Sequence, residues 1–182
     1  MTLRLFAAIA PPDPIAERLI PLQRGVPGAK WRPRDNFHIT LRFFGDTPEP
    51  LAEDLDGELA LVAEKTPPFE LQLKGAGSFG DSNPHAIWIG VEPTPELSKL
   101  AADCERAARR VGIAPEKRKF MPHVTMAYLT RTDLDRVQAF VSRLALYRSE
   151  PFIVRDFALY SSQIRKSAPS LYRLEADYPL IG

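Results

Sequence analysis

The chain has 182 residues, 45% of them apolar and 26% charged, with 24 basic against 23 acidic side chains and a net charge of +1. Such a chain can bury a core, in one domain or in two small lobes that share it, and this excludes global disorder. The balance of charge excludes a protein that grips long nucleic acid through many phosphates, so an RNA ligand is expected to be held at an end or over a short stretch.

Residues 3–10 (LRLFAAIA) read as a strand ended by Pro11 and Pro12. This run is too short to span a membrane and poor as a signal peptide, and no other stretch is long enough, so a soluble, cytoplasmic protein is expected; the near-zero net charge and the lack of an extended apolar surface signal lead to the expectation of a monomer. Asp13 offers an N-cap with Pro14 at the first helical position, and a helix should run to about Gln23. Gly25, Pro27 and Gly28 mark a loop. Phe37 to Phe44 (FHITLRFF) is rich in β-branched and aromatic residues and reads as a strand closed by Gly45-Asp46. Pro48 to Lys65 reads as a helix and Phe69 to Lys74 as a strand, followed by a loop holding Gly75, Gly77, Gly80 and Asn83-Pro84.

Ala86 to Val91 is a mostly apolar strand, and Pro95 to about Arg110 a helix stopped near Gly112. A basic loop with Lys117, Arg118 and Lys119 leads into a strand from His123 to Leu129. Thr132 or Asp133 can cap a helix to about Leu146, and the last strands are Phe152 to Tyr160 and Leu171 to Ala176. The single cysteine, Cys104, falls in a helix-like run; it precludes an intrachain disulfide and fits a reducing compartment. Hairpin-like connections between neighbouring strands imply an α+β fold with largely antiparallel sheets. No Gly-, Ser- or charge-rich linker divides the chain, so residues 1–182 are expected to form one domain of two lobes folded against each other.

Two of the strands repeat a pattern. Phe37-His38-Ile39-Thr40-Leu41 and Pro122-His123-Val124-Thr125-Met126 each hold a histidine, an aliphatic residue, a threonine and an apolar residue, about half the chain apart. Side chains alternate along a strand, so His38 and Thr40 share one face and Ile39 and Leu41 the other. The same alternation separates His123 and Thr125 from Val124 and Met126. If the polar faces meet, they line a cleft with two imidazoles and two hydroxyls. Such a set suits phosphodiester chemistry without a metal. One imidazole takes a proton from the attacking water and the other gives one to the leaving oxygen. An unperturbed pKa of about 6.5 suits histidine to both tasks. The threonine hydroxyls can donate hydrogen bonds to the non-bridging phosphate oxygens.

Other chemistries fit poorly. The spacings for a zinc site, a Walker loop, a dinucleotide fingerprint or a nucleophile elbow are all missing. The remaining histidine, His85, follows Asn83-Pro84 and reads as a solvated loop residue.

With these residues in view, the chain resembles the two-histidine phosphoesterase superfamily, and within it the RNA 2′,3′-cyclic phosphodiesterases (ThpR or LigT-like, also met as 2′-5′ RNA ligases). The resemblance extends from Arg4-Leu5-Phe6-Ala7-Ala8-Ile9 through both His-x-Thr strands to Gly77-Ser78-Phe79, Trp88-Ile89-Gly90-Val91, Leu159-Tyr160-Ser161-Ser162 and Tyr172. It implies a bilobal, pseudo-two-fold fold, each lobe an antiparallel sheet backed by helices with the cleft between. It also implies hydrolysis of an RNA-terminal or nucleoside 2′,3′-cyclic phosphate to a 2′-phosphate, and the reverse ligation on a 5′-hydroxyl, with neither metal nor nucleotide cofactor. His38 would be the proton donor and His123 the proton acceptor.

One position departs from the family pattern. Its second motif often continues to an arginine where this chain has Tyr128, and simple alternation puts Tyr128 on the face opposite His123. Arg42, by the same alternation, shares the face of His38 and Thr40 and becomes a candidate phosphate contact beside Thr40 and Thr125. Arg131 is a second candidate cation. Trp31 and Phe79 could stack on a terminal base, and Lys117, Arg118, Lys119, Arg165 and Lys166 could steer RNA. The rival readings are a non-catalytic RNA-end-binding protein, a structural protein in which the His-x-Thr pairs only pack, and a phosphoesterase for ADP-ribose cyclic phosphate or 2′-5′ oligonucleotides.

Overall fold

Apolar alternation and proline punctuation divide residues 1–182, all of which the computed structural model describes, into ten strands and four α-helices. In chain order they are β1 (Thr2–Ile9), α1 (Asp13–Leu19), β2 (Lys30–Trp31), β3 (Ile39–Pro48), α2 (Glu49–Glu64), β4 (Phe69–Leu71), β5 (Leu73–Phe79) and β6 (Ala86–Val91). Then follow α3 (Pro95–Arg110), β7 (His123–Tyr128), α4 (Leu134–Arg143), β8 (Phe152–Val154), β9 (Asp156–Gln163) and β10 (Leu171–Pro179). Thr94 caps α3 by accepting from the Leu97 amide at 3.2 Å, and Asp133 caps α4 by accepting from the Asp135 amide at 2.9 Å.

The fold is α+β with antiparallel pairing throughout, as expected. The main sheet runs β10-β9-β1-β3-β7-β6-β5 with β2 beside β7, and β4 and β8 make a separate two-stranded sheet. β3 and β7 share a single paired position, Ile39 with Val124. The sheet therefore consists of two half-sheets held at one rung. Helices α2 and α3 pack behind the β10-β9-β1-β3 half, and α4 behind β5. One apolar cluster of 40 buried residues runs behind both halves, so they share a core.

Several boundaries differ from the sequence reading, and each has a local cause. Pro12, not Asp13, occupies the cap position of α1; Asp13 lies in the first turn, where it pairs with Arg34 at 2.8 Å. The helix ends at Leu19 and a 3₁₀ turn, Ile20–Leu22, completes it. A second 3₁₀ turn, Arg34–Asn36, delays β3 to Ile39, and the strand then runs through Gly45-Asp46 to Pro48 because β1 pairs with it throughout. The strand expected over 69–74 breaks after Leu71, and the one over 152–160 breaks after Val154; the first piece of each pairs with the other in the small sheet. The helix expected to reach about Leu146 ends at Arg143. Of the glycine-rich stretch expected as a loop, residues 75–79 belong to strand β5, while Gly80 to Pro84 form the turn before β6. A β-carbon on Gly77 would lie 2.3 Å from Trp88 Cζ2, so glycine there lets the indole of the paired β6 residue lie against β5.

Candidate active site

The paired rung joining the half-sheets is the middle residue of each His-x-Thr motif. Extending this antiparallel register sets His38 across from Thr125 and Thr40 across from His123. Ile39, Leu41, Val124 and Met126 are buried in the core, whereas Thr40, His123 and Thr125 are half-buried on the other face. The expected alternation within each motif holds, and the four predicted polar residues converge on one surface.

Beyond the threonines the alternation fails, in the same way twice. Leu41 is an extra residue opposite the Ala7–Ala8 step of β1, and Met126 is an extra residue opposite the Ile87–Trp88 step of β6. Each is a β-bulge, and one inserted residue reverses the facing of everything after it. Arg42 is thereby turned away from His38 toward the helices. Its guanidinium binds Glu105 of α3 and the Phe43 carbonyl, and donates to the Ala114 carbonyl at 2.7 Å. This corrects the placement of Arg42 on the histidine face: it is a buried tie between β3 and α3. The same bulge brings Phe43 back to stack on Phe6 at 6.3 Å. In β7 the bulge buries Ala127 and carries Tyr128 to the histidine face, opposite to simple alternation.

His38 is 9% exposed and lies among Tyr160, Tyr172 and Phe6, at ring-centre distances of 4.5, 5.4 and 5.8 Å. Burial pushes its imidazole down to about 4; the Asn36 carbonyl and Asp35 carboxylate oppose this, and the Arg32 guanidinium adds to it. Its Nδ1 is buried with no hydrogen-bond partner. His123 is flanked edge-on by Phe79 at 5.0 Å and by Trp88 at 5.8 Å. Burial lowers its pKa as well, against the Met121 carbonyl, which lies 2.6 Å from Nδ1. With the proton on Nδ1 donated to that carbonyl, Nε2 keeps its lone pair free to act as a base.

The other sequence candidates divide. Phe79 reaches the site, beside His123. Trp31 pairs with Ala127 and packs its ring on Phe140 of α4 at 5.9 Å, so it belongs to the core side. His85 is exposed, as expected, and stacks on Phe79 at 6.3 Å. Lys117, Arg118, Lys119, Arg165 and Lys166 are exposed; Arg118 is held by Glu116 at 3.1 Å, and Arg165 donates to the Pro169 carbonyl at 2.8 Å. Arg131 is exposed at a positive φ of 50°. Cys104 is fully buried, and burial raises its thiol pKa, which suits packing and not chemistry. No three His, Cys, Asp or Glu side chains cluster as a metal site, and no helix is long and apolar enough to cross a membrane.

The residue that sequence reasoning missed is Arg32. It is 7% exposed, lies over the Tyr128 ring at 4.9 Å, and donates to the Tyr172 hydroxyl at a long 3.4 Å. No local pattern announces it, because β2 is only two residues long. The signal available in the sequence was Tyr128, which stands where the family pattern often has an arginine.

Comparison with known proteins agrees with this geometry. A family model described as the 2′-5′ RNA ligase superfamily matches residues 11–163. The chain is 32% identical to the RNA 2′,3′-cyclic phosphodiesterase of Geobacillus stearothermophilus, over 86% of this chain and 49% of that protein, so it spans about half of that relative. It is 33% identical to the protein of the same name from Aquifex aeolicus, over 84% and 82% of the two chains. The crystal structure of E. coli LigT complexed with 3′-AMP superposes with a TM-score of 0.78 at 25% identity, over the whole of both chains. By its fold, its paired motifs and the match across residues 11–163, the chain belongs to the 2′-5′ RNA ligase superfamily.

Proposed function

We propose that the protein hydrolyses an RNA-terminal or nucleoside 2′,3′-cyclic phosphate to a 2′-phosphomonoester without a metal. The observation that supports this reading is the single rung Ile39–Val124, whose antiparallel register, when extended, sets His38 across from Thr125 and Thr40 across from His123. The names of the Geobacillus and Aquifex relatives support the same substrate class.

In this reading the phosphate lies across the rung, with the Thr40 and Thr125 hydroxyls donating to its non-bridging oxygens. His123 Nε2 takes a proton from water as the water oxygen attacks phosphorus. The bond from phosphorus to the 3′ oxygen breaks, and His38 gives that oxygen its proton. His38 is neutral in the free protein at neutral pH, so the phosphodiester anion must raise its proton affinity on binding. A 5′-hydroxyl in place of water would run the same steps toward a 2′-5′ linkage. Both histidines come from one chain, so a cytoplasmic monomer of two pseudo-symmetric half-sheets suffices. Arg42 has no substrate role in this scheme.

The test is incubation with cytidine 2′,3′-cyclic phosphate in EDTA, the products being resolved against 2′- and 3′-phosphate standards. A 2′-phosphate product is expected. A 3′-phosphate would reverse the leaving group. Binding without turnover, on this nucleotide and on RNA with the same end, would leave an RNA-end-binding protein.

A further inference from the structure

We propose that Arg32 is a substrate-binding residue, whose guanidinium grips the non-bridging oxygens of the reacting phosphate from the end of β2, the strand that continues along the β7 edge after β3 leaves it. The inference rests on the cyclic-phosphodiesterase reading and adds a residue that its two motifs do not contain.

The first ground is an unbalanced charge. Arg32 and Arg42 are equally buried, each 7% exposed. Arg42 spends its donors on a carboxylate and two carbonyls. Arg32 makes no ion pair, and its one side-chain hydrogen bond is the long contact to the Tyr172 hydroxyl. A guanidinium carries five N–H donors in a planar fork, and a buried cation without an anion is costly. None of the Arg32 nitrogens is both sealed and unpartnered, so the unspent donors open to solvent. An anion arriving there would supply what the folded chain lacks.

The second ground is position. The Arg32 amide donates to the Met126 carbonyl at 2.8 Å, directly at the bulge after Thr125. Gln23 Nε2 donates to the Arg32 carbonyl at 2.8 Å, so the backbone is held on both sides. The Tyr128 ring supports the guanidinium face at 4.9 Å, and Tyr172, which Arg32 touches, lies 5.4 Å from His38. The fork is thus fixed beside the proton donor before any ligand arrives, and two parallel N–H donors match two phosphate oxygens.

The third ground is electrostatic. Arg32 disfavours a proton on His38. Asp35 offsets this in part, and an anion bound between Arg32 and His38 would offset it further, so a phosphate in place favours the protonated His38.

The experiment compares wild type, Arg32→Gln and Arg32→Lys in steady-state turnover of cytidine 2′,3′-cyclic phosphate, and in binding of inorganic phosphate followed by the His38 and His123 ring signals. Loss of a charged contact predicts that Arg32→Gln falls about ten- to hundredfold in kcat/KM and in phosphate affinity, with Arg32→Lys between the two. The free-protein titration midpoint of His38 should rise in Arg32→Gln. A folded Arg32→Gln with wild-type kcat/KM and wild-type phosphate affinity overturns the proposal. If Arg32→Gln does not fold, Arg32→Lys decides: it must bind phosphate several-fold more weakly, because it keeps the charge and loses the fork, and equal binding overturns the assignment. A wild type that turns over no cyclic phosphate would sink the enzymatic reading, while phosphate binding would still judge Arg32.

Discussion

The two His-x-Thr strands have the same backbone plan and different electrical surroundings. Both place the histidine beside the shared rung, both bulge after the threonine, and both present an aromatic residue, Phe43 or Tyr128, where the strand returns to the histidine face. Around His38, however, stand three aromatic rings, a guanidinium and a carboxylate, and the Asn36 carbonyl two residues back favours its proton without a full hydrogen bond to the sealed Nδ1. Around His123 stand two aromatic rings, and a carbonyl grips Nδ1. The motif sets where an imidazole sits; its neighbours set what the imidazole does. A ring with its Nδ1 proton held and Nε2 free is a ready base. A sealed ring whose proton depends on nearby charge suits an acid charged by its own substrate.

The strongest way to break this comparison is to remove each ring. His38→Ala and His123→Ala should each lower turnover of cytidine 2′,3′-cyclic phosphate by about 10²–10⁴-fold with unchanged circular dichroism. Wild-type turnover in either would end its role. Arg42→Ala makes the first motif read like the second, where Ala127 holds the matching place. It should cost about 3 kcal/mol of stability by leaving Glu105 short of its buried partner, while folded protein keeps its kcat; urea unfolding and kinetics separate the two. Thr40→Val and Thr125→Val should each cost about 1.5–3 kcal/mol in kcat/KM, and similar losses would support a symmetric grip on the phosphate. Full activity in both would remove the threonines from the mechanism.

The smallest effect is in pH dependence. His38 is depressed in the folded chain from 6.5 to about 4, so between those values the unfolded chain binds a proton that the folded chain does not. Stability from this group is complete above about pH 6.5 and falls as pH drops toward 4. Urea midpoints across that range should therefore fall less in His38→Gln than in wild type, and parallel curves would contradict the burial argument. In the same profile, the alkaline limb of kcat should lie above that of kcat/KM, because bound phosphate raises His38.

What could be read from the sequence depended on whether a feature is local. α3 was legible to its termini because Thr94-Pro95 starts it and the Arg110 to Gly112 stretch ends it, and β6 because its apolar run is short and bounded. The four polar residues of the two motifs were legible because alternation holds over three residues. Arg42 and Tyr128 were misplaced because a bulge is set by the partner strand, and neither Leu41 nor Met126 looks unusual in sequence. β5 hid behind its glycines, one of which, Gly77, makes room for the indole of Trp88 on the next strand. Arg32 was invisible because its importance lies in Tyr128 and Tyr172, about 100 and 140 residues away.

The order of strands also bears on how the protein comes off the ribosome. β5, β6 and β7 are consecutive in their half-sheet, whereas the half around His38 needs β1, β3, β9 and β10. A growing chain can therefore complete the neighbourhood of His123 while β1 still shows a bare edge along Leu5 to Ala8, the stretch that β9 later covers. Tyr160 and Tyr172, which seal His38, are among the last residues made. The surroundings of His38 are therefore completed after those of His123, and until β9 and β10 are synthesised the nascent chain carries an open strand edge that other chains can pair with.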